Sequence, residues 1–558
     1  MSMNVYLRKE HFIVSASAIV LRDGEYAIAV DGKTKRVIAR STNHKSVINS
    51  AVRHVYNNYG RGNVLLIGEF EVKGEDGLGI ELYSNIALEG IGEGTVIKNR
   101  LSNPGNNYLI TNVNRFSDVE YDQNIQLRNL VVDYDKYCPT SPYYPMVLFS
   151  NAKGILVENV KFRNHKGEGG WSLGFQACED VVVRDVVVEA SNEPVFINSA
   201  YYGGSGITLG EGSDRALTRG VRHAIIEGCI VRGTIDDAIL AGAGAYSYDI
   251  KVVNCIIDKS NGYSGSGISV YGSKLVRIIG NTIKGGPDAS AIGLRLDGTE
   301  DVIIEANTIE VNVPETSTLA YRGKAISIPQ PASKVKILNN IIVGDFYDHT
   351  IIINSASKYV EIRGNYIEVL SRQTTGQTIR ITSSASKIKV VGNKIIDLNS
   401  NTNYNILLDS TVSDIEIKEN DLEECDPSSK NLVINGSNII VIGNKFNSAK
   451  AIHIAGGTYT ISRNIGYPTE NSGVTSITGD GSTTEFTVDV AHGLVSDKVA
   501  AHVTTTKPTT ATPSYIYAYL VDKDSDGFKE TLRITVRFDT APGSGEVVEI
   551  YWRAVVVA

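Results

Sequence analysis

VRIIGNTI (276–283), VIIEANTI (302–309), VKILNNII (335–342), VEIRGNYI (360–367), IKVVGNKI (388–395), IEIKENDL (415–422) and IIVIGNKF (439–446) are seven copies of one phrase, apolar-x-apolar-x-x-Asn-x-apolar. The asparagines are Asn281, Asn307, Asn340, Asn365, Asn393, Asn420 and Asn444, at steps of 26, 33, 25, 28, 27 and 24 residues. A repeat of that period marks an architecture built from stacked units. Within each copy the period-2 alternation reads as strand, and the recurring Gly-Asn reads as a tight turn that tolerates left-handed backbone angles. A second strand precedes the next phrase, as in GISV (267–270), AISI (325–328), TIII (350–353) and TIRI (378–381). No helical stretch long enough to cover a parallel sheet follows any copy. Coils of about 26 residues stacked about 4.8 Å apart describe a parallel β-helix, an all-β fold. The turn asparagines would then stack on one another and bond along the axis. They are expected to hold turns and do no chemistry.

The chain of 558 residues is too long for one compact core but natural for a one-dimensional stack. A net charge of −8 gives no basic footprint, so nucleic acid is not an expected partner. Five cysteines form no disulfide framework; Cys229 and Cys255, 26 apart at matching places, should stack as buried thiols, with a disulfide across coils as the alternative. MSMNVYLRKEHF contains no long apolar run, so neither a signal peptide nor a membrane span is expected there.

Three parts are expected. Residues 1–60 hold a small β unit with turns at Asp23-Gly24 and Asp31-Gly32, then an amphipathic helix from Asn43 to Tyr59 that would cover the open first coil. Residues 61–470 form the β-helix. After Asn464 the period stops, and residues 471–558 read as a separate β-sandwich of about six strands. Within that module DKDSDG (522–527) mimics the start of a calcium loop, but Arg533 stands where a bidentate Glu would be needed, so it reads as an acidic hairpin turn. The histidines are scattered without a closely spaced pair, and neither a metal nor a cofactor is expected.

The early coils are less regular, and function is expected there, between about residues 133 and 297. The phrases at Val186 and Cys229 lie 43 apart, so one coil carries about 17 extra residues, in AYYGGSGITLGEGSDRALTRGVRH after Val195–Ile197. Long loops on a rigid stack favour binding and catalysis. The candidate catalytic carboxylates are Asp236 and Asp237 in TIDDAIL, with Glu193 in SNEPVFI at the corresponding place one coil earlier. Successive strand residues face opposite ways, so one of the two aspartates looks outward and the other is solvated or paired inside. Carboxylates on neighbouring coils fall roughly 5–10 Å apart, the range used in glycoside hydrolysis. Arg215, Arg219, His223 and Arg295 could bind acidic sugars or tune a carboxyl, and Trp171, Tyr201, Tyr202 and Tyr246 could stack on sugar rings. Each has an ordinary structural alternative; the clustering of all these types on the irregular coils carries the functional reading.

The segment SITGDGSTTEFTV…AHGL…ITVRFDTAPGSGEVVEIYWRAVV resembles the C-terminal β domains of viral tail and tailspike-like proteins. There, a GDGSTT-type turn opens the domain and a TAP-x-G-x-G segment precedes the last strand. The helix with GNVLLIGEFEV…LYSNIALEGIGEGTVIK resembles the entry to the pectin-lyase-like β-helices of tailspikes. The resemblance implies the right-handed form of the parallel β-helix and a homotrimer, with residues 471–558 as the expected trimerisation module. It also implies a partner that is a polysaccharide or cell-surface glycan, and a virion or extracellular location. TIDDAI is also similar to the paired-Asp segment of polygalacturonase-like hydrolases, although the NTD, GHG and RIK segments of that family are absent. The expected function is recognition of host-surface polysaccharide with cleavage of glycoside-hydrolase type. The alternatives are a non-enzymatic adhesin or structural fibre, and a secreted polysaccharide lyase or hydrolase.

Overall fold

The computed structural model describes residues 16–558 except 75–76, 102–107, 118–119, 135–146, 166–170, 191–194, 198–199, 203, 211–219, 244–245, 261–264, 287–289, 297, 314–322, 373–375, 399–403, 425–429, 448–451, 468–469, 493, 495–498, 523–530 and 557–558. Most of the DKDSDG segment lies outside the described residues. The chain divides into two compact units, Met1–Lys336 with Asn340–Ile342, and Ile337–Asn339 with Val343–Ala558. Its fold is a right-handed parallel β-helix.

The first unit opens with an antiparallel meander, Ala18–Asp23, Tyr26–Asp31 and Val37–Ser41, turning at the two Asp-Gly pairs. The helix His44–Tyr59 follows. Asn43 caps it by accepting the Ser46 N–H, and Gly60 ends it at φ 67°, a left-handed conformation glycine adopts without strain. Val47, Ile48, Ala51, Val52 and Val55 form its buried face. The carboxylate of Asp31 fastens the helix to the meander by accepting from His54 and the Tyr59 hydroxyl, each at 2.6 Å. Asn49 then meets the strand Leu78–Leu82: its amide donates to the Gly79 carbonyl at 3.0 Å and its oxygen accepts the Glu81 N–H at 3.0 Å. A sheet's first strand would otherwise expose unpaired backbone groups, so the helix closes that edge as well as covering the apolar interior.

Each regular coil consists of two short strands meeting at a corner and a third on an opposing sheet. Tyr248–Val253 and Ile256–Asp258 stack on Lys274–Ile279 and Thr282–Gly285, which stack on Thr299–Glu305 and Thr308–Val311. On the opposing sheet Ser205–Leu209, Ile239–Ala243, Ser266–Tyr271 and Ser290–Leu296 run parallel in turn. Inward positions form apolar columns, such as Ile207, Ile239, Ile268 and Ile292, all without exposure. Each such side chain stabilises the fold by about 1.5–3 kcal/mol through removal from water.

The corner is where the asparagines act. The preceding residue is left-handed, usually glycine (Gly280, φ 67°; Gly392, φ 64°), although Ala306 and Glu419 adopt the same angle. That turn aims the buried asparagine along the axis. In the first unit Asn281 donates its backbone N–H and its side-chain amide to Oδ1 of Asn307, both at 2.9 Å, and the amide also reaches the Val252 carbonyl at 3.0 Å. Asn307 repeats the pattern on Asn340. In the second unit Asn365, Asn393, Asn420 and Asn444 do the same, and Asn464 receives the last pair. Upstream, Cys229 and Cys255 occupy the same corner as buried free thiols, with the Cys255 N–H on Asn281 Oδ1 at 2.9 Å.

The second unit ends in two antiparallel three-stranded sheets. One orders Glu470–Thr478, Val547–Val556 and Val499–Thr505; the other orders Glu485–Ala491, Thr531–Phe538 and Pro513–Val521. Leu532, Ile534, Val536, Val548, Ile550 and Trp552 are buried together as a sandwich core.

Replacing one ladder asparagine strips its neighbours of buried partners. Asn393→Ala removes the Oδ1 that accepts both the backbone N–H and the side-chain amide of Asn365, and takes one donor from the Ile362 carbonyl. Unsatisfied buried groups cost about 1–3 kcal/mol each, so a loss of about 2–4 kcal/mol is expected in urea unfolding. The exposed neighbour Lys394→Ala should stay within about 0.5 kcal/mol of the parent. Equal midpoints for the two variants would refute a stabilising ladder.

Candidate functional site

The turn Thr234–Asp237 leads into the strand Ile239–Ala243 and brings together residues from three successive coils. Asp237 is buried. Its Oδ1 accepts the Ser266 N–H at 2.7 Å and the Ser269 hydroxyl at 2.5 Å, both from the next strand of the sheet. Asp236 is half-buried, and its Oδ2 accepts the Ser205 hydroxyl at 3.3 Å from the strand before. Asp237 is therefore tied inside, while Asp236 stays half-buried in the turn ahead of the strand.

Gly265 makes this approach possible. It is left-handed at φ 78°, and a Cβ there would lie 2.5 Å from the Asp237 nitrogen and 2.6 Å from the Asp236 carbonyl carbon. Any side chain would push the acidic turn away.

Two cations serve the pair. Lys259 is buried, and its ammonium donates to the carbonyls of Thr234 at 3.2 Å, Ile235 at 2.8 Å and Asp236. It thus holds the turn from beneath by three successive backbone oxygens. Arg295 reaches the Ser266 hydroxyl at 2.8 Å and the Tyr271 hydroxyl at 3.3 Å. A register shift explains its aim: Val270 pairs with Leu294 but Tyr271 pairs with Leu296, so Arg295 is the extra residue of a bulge. A second shift, between Leu240 and Ala243, lies one coil earlier. Bulges re-aim side chains, and here both fall beside the acidic turn.

The electrostatics follow. Burial, and then the charge of Asp237, push the Asp236 carboxyl up to about 6, with Lys259 and Arg295 opposing. Burial pulls the Lys259 ammonium down to about 8 against the attraction of Asp236 and Asp237. Burial and Asp237 raise the Tyr271 hydroxyl to about 12. For Arg295 burial works against the charge, but Asp237 and Tyr271 outweigh it and hold its pKa above the ordinary value. A carboxyl that keeps its proton up to about pH 6 is suited to give that proton to a leaving oxygen in mildly acid solution.

The other expected site residues distribute unevenly. Trp171 heads its strand in register with Ser205, on the sheet that carries the acidic turn, and is half-buried. His223 stands instead at the corner-side sheet. Its ring nitrogen lies 2.8 Å from Asp249 Oδ2, and the ring meets Tyr248 edge-on at 5.2 Å. Tyr246 is exposed just before the strand Tyr248–Val253. Tyr201 and Tyr202 belong to the short strand Ala200–Tyr202, which pairs antiparallel with Val195–Ile197; their side chains are outside the described residues, as are Glu193, Arg215 and Arg219. The extra residues of the long coil thus include a hairpin. Lys259, Ser205, Ser266 and Ser269 were not anticipated. Strand parity held the one signal for Lys259: Ile257 points inward, so the residue two further on does too. Among the described residues, no cluster of His, Cys, Asp or Glu is placed to hold a metal ion, and no helix is long and apolar enough to cross a membrane.

Residues 185–367, which include the acidic turn, match the family model described as the right handed beta helix region. Curated protein sequences give no match. Among solved structures, the chain is similar to the tailspike gp61 of Pseudomonas phage phi297, with 12% identity, a TM-score of 0.50 and 92% of each chain covered. It is also similar to PfbA, a surface adhesin of Streptococcus pneumoniae (16% identity, TM-score 0.45, 71% of this chain and 89% of that one). The tailspike of E. coli bacteriophage HK620 is a further neighbour (12% identity, TM-score 0.44, 91% and 89% covered). At these identities the likeness is one of fold.

The raised carboxyl sets a pH dependence. Asp236 is harder to ionise in the fold than in the unfolded chain, so the folded state binds more protons between about pH 4 and 6. Its contribution to stability is present below that window and is lost as pH rises through it. Asp236→Asn should therefore match the parent near pH 4 and exceed it at pH 7.5, by an amount of order 2 kcal/mol. Thermal unfolding of both proteins across this range checks the sign, and a constant difference would contradict it.

Proposed function

We propose that this protein is a tailspike-type, host-glycan-recognising β-helix of a virion, acting as a homotrimer, and that it cleaves the bound polysaccharide by hydrolysis at the Asp236 turn. The observation that carries the proposal is the half-buried Asp236 carboxyl, pushed up to about 6 beside a buried, hydrogen-bonded Asp237 and flanked by Arg295 and Tyr271. The tailspike-like C-terminal segment and the fold shared with a phage tailspike support the biological setting.

In this reading Asp236 is the general acid. Its proton passes to the glycosidic oxygen as that bond to the anomeric carbon breaks, while water supplies the new hydroxyl and gives up its other proton to a second carboxylate. Asp237 raises the proton affinity of Asp236 and is tied to Ser266 and Ser269, so it does not face substrate. The sequence candidate for the second substrate-facing carboxylate is Glu193. Arg295 and Tyr271 would bind sugar hydroxyls. The containment of Asp237 also favours a second reading, an adhesin that binds glycan in the same place without cutting it.

Reducing-end release from purified bacterial surface polysaccharides separates the two. Asp236→Asn and Glu193→Gln should each lower turnover about 10²–10⁴-fold while glycan binding persists. Turnover by the parent should decline above about pH 6 as the acid loses its proton. Unchanged turnover in both variants removes the assignment; binding without turnover by the parent establishes the adhesin. Light scattering tests the assembly, with a mass of about 181 kDa expected for three chains of 60.4 kDa and about 60 kDa contradicting it.

A further inference from the structure

The C-terminal sandwich carries a surface that its own core does not explain. Along the edge strand Pro513–Val521, residues alternate between core and solvent. Ile516, Ala518 and Leu520 pack inward, whereas Tyr515, Tyr517 and Tyr519 point outward and remain 40%, 46% and 47% exposed. The three rings form a row. Their centroids are 5.8 and 6.1 Å apart, and the ring planes are inclined by only 25° and 10°.

The neighbouring strands extend the pattern in register. Tyr515 lies opposite Arg537, which lies opposite Glu485; Tyr519 lies opposite Arg533, which lies opposite Asp489. The Arg537 guanidinium sits over the Tyr515 ring at 5.8 Å, and the Tyr515 hydroxyl donates to Glu485 at 3.0 Å. Arg533 grips Asp489 through two bonds of 2.7 and 2.8 Å. The face is thus an acid–arginine–tyrosine row written twice, with Tyr517 between the two rows.

We infer that this face is a saccharide-binding platform for a neutral, linear glycan, separate from the Asp236 turn and carried by the other unit of the chain. Three features select that ligand. Parallel exposed rings at an even spacing suit a polymer whose sugar faces recur along one direction, since a sugar ring offers C–H groups to an aromatic surface. The two acids and two arginines cancel, so the face has no net charge to draw a polyanion. Paired carboxylates and guanidinium groups, already fixed in position, offer hydroxyls both donors and acceptors without a further ordering cost. A second copy of this chain is the competing occupant, and the face leaves it no unpaired charge with which to set an orientation.

The inference rests on the proposed engagement of saccharide, and the test distinguishes the two. The full chain is applied to an array of defined neutral and acidic bacterial surface oligosaccharides, beside Tyr517→Ser, the triple variant Tyr515→Ser/Tyr517→Ser/Tyr519→Ser, and Tyr517→Phe. All four are first compared for melting temperature and solution mass. Retention on neutral glycans should fall about tenfold for Tyr517→Ser and further for the triple variant, while Tyr517→Phe, which keeps the ring, should retain them. Hydrolysis of short oligosaccharides should be untouched. Glycan retention by the triple variant equal to the parent, with hydrolysis intact, overturns the platform and leaves the Asp236 reading standing. A parent that neither retains nor cuts any glycan overturns both. A fall in solution mass for the triple variant assigns the face to contact between copies and likewise overturns the platform.

Discussion

Hydrogen bonding along the stacking axis is the constraint on which the rest depends. Backbone ladders alone fix a spacing between coils but leave each corner, where strand geometry breaks, with polar groups that the stack would bury unpaired. A carboxamide solves this because it holds a donor and an acceptor a short distance apart. At asparagine corners such as Asn307 and Asn420 one oxygen takes two N–H groups from the coil before, and the amide nitrogen passes the pattern onward. Cysteine can stand in at 229 and 255 because the backbone N–H of Cys255 still finds Asn281, and its thiol points at the Ile226 carbonyl much as an amide would. The exchange gives up strong bonds for weak ones, and it occurs on the coils that also carry the acidic turn.

That turn shows what a regular scaffold can tolerate. Two bulges, a left-handed glycine and a buried lysine depart from the coil pattern on three successive coils. The charged groups among them depend on one another. Lys259 would be a costly buried charge without the carbonyls and carboxylates above it, and the carboxylates would repel one another more strongly without Lys259 and Arg295. The cluster is close to neutral as a whole. Its members nevertheless differ in proton affinity, which is the property an acid catalyst needs.

Much of the fold was legible because its signals are local. The asparagine phrases, the amphipathic helix and the Asp-Gly turns each declare themselves within a few residues. Lys259, Ser269 and the re-aiming of Arg295 were not legible, because their roles depend on register between strands some 22 to 32 residues apart, and a bulge that shifts register leaves no mark in composition. His223 illustrates the converse: its residue type suits a site, but stacking delivers it to Asp249 on the corner side. The tyrosine row of the sandwich is visible as alternation in SYIYAYLV, yet only the two neighbouring strands reveal the charged pairs that accompany it.

The long coil has one more implication. Despite the hairpin it carries, the strands on either side of it keep the common register: Val188 still lies opposite Val231, and Val231 opposite Ile257. The inserted segment is therefore invisible to the columns beneath it. A lineage could lengthen, trim or exchange such an excursion wholesale and leave every neighbouring coil undisturbed. Change there could then come by graft rather than by gradual repacking, with the ladder as the fixed frame and the excursion as the part open to exchange.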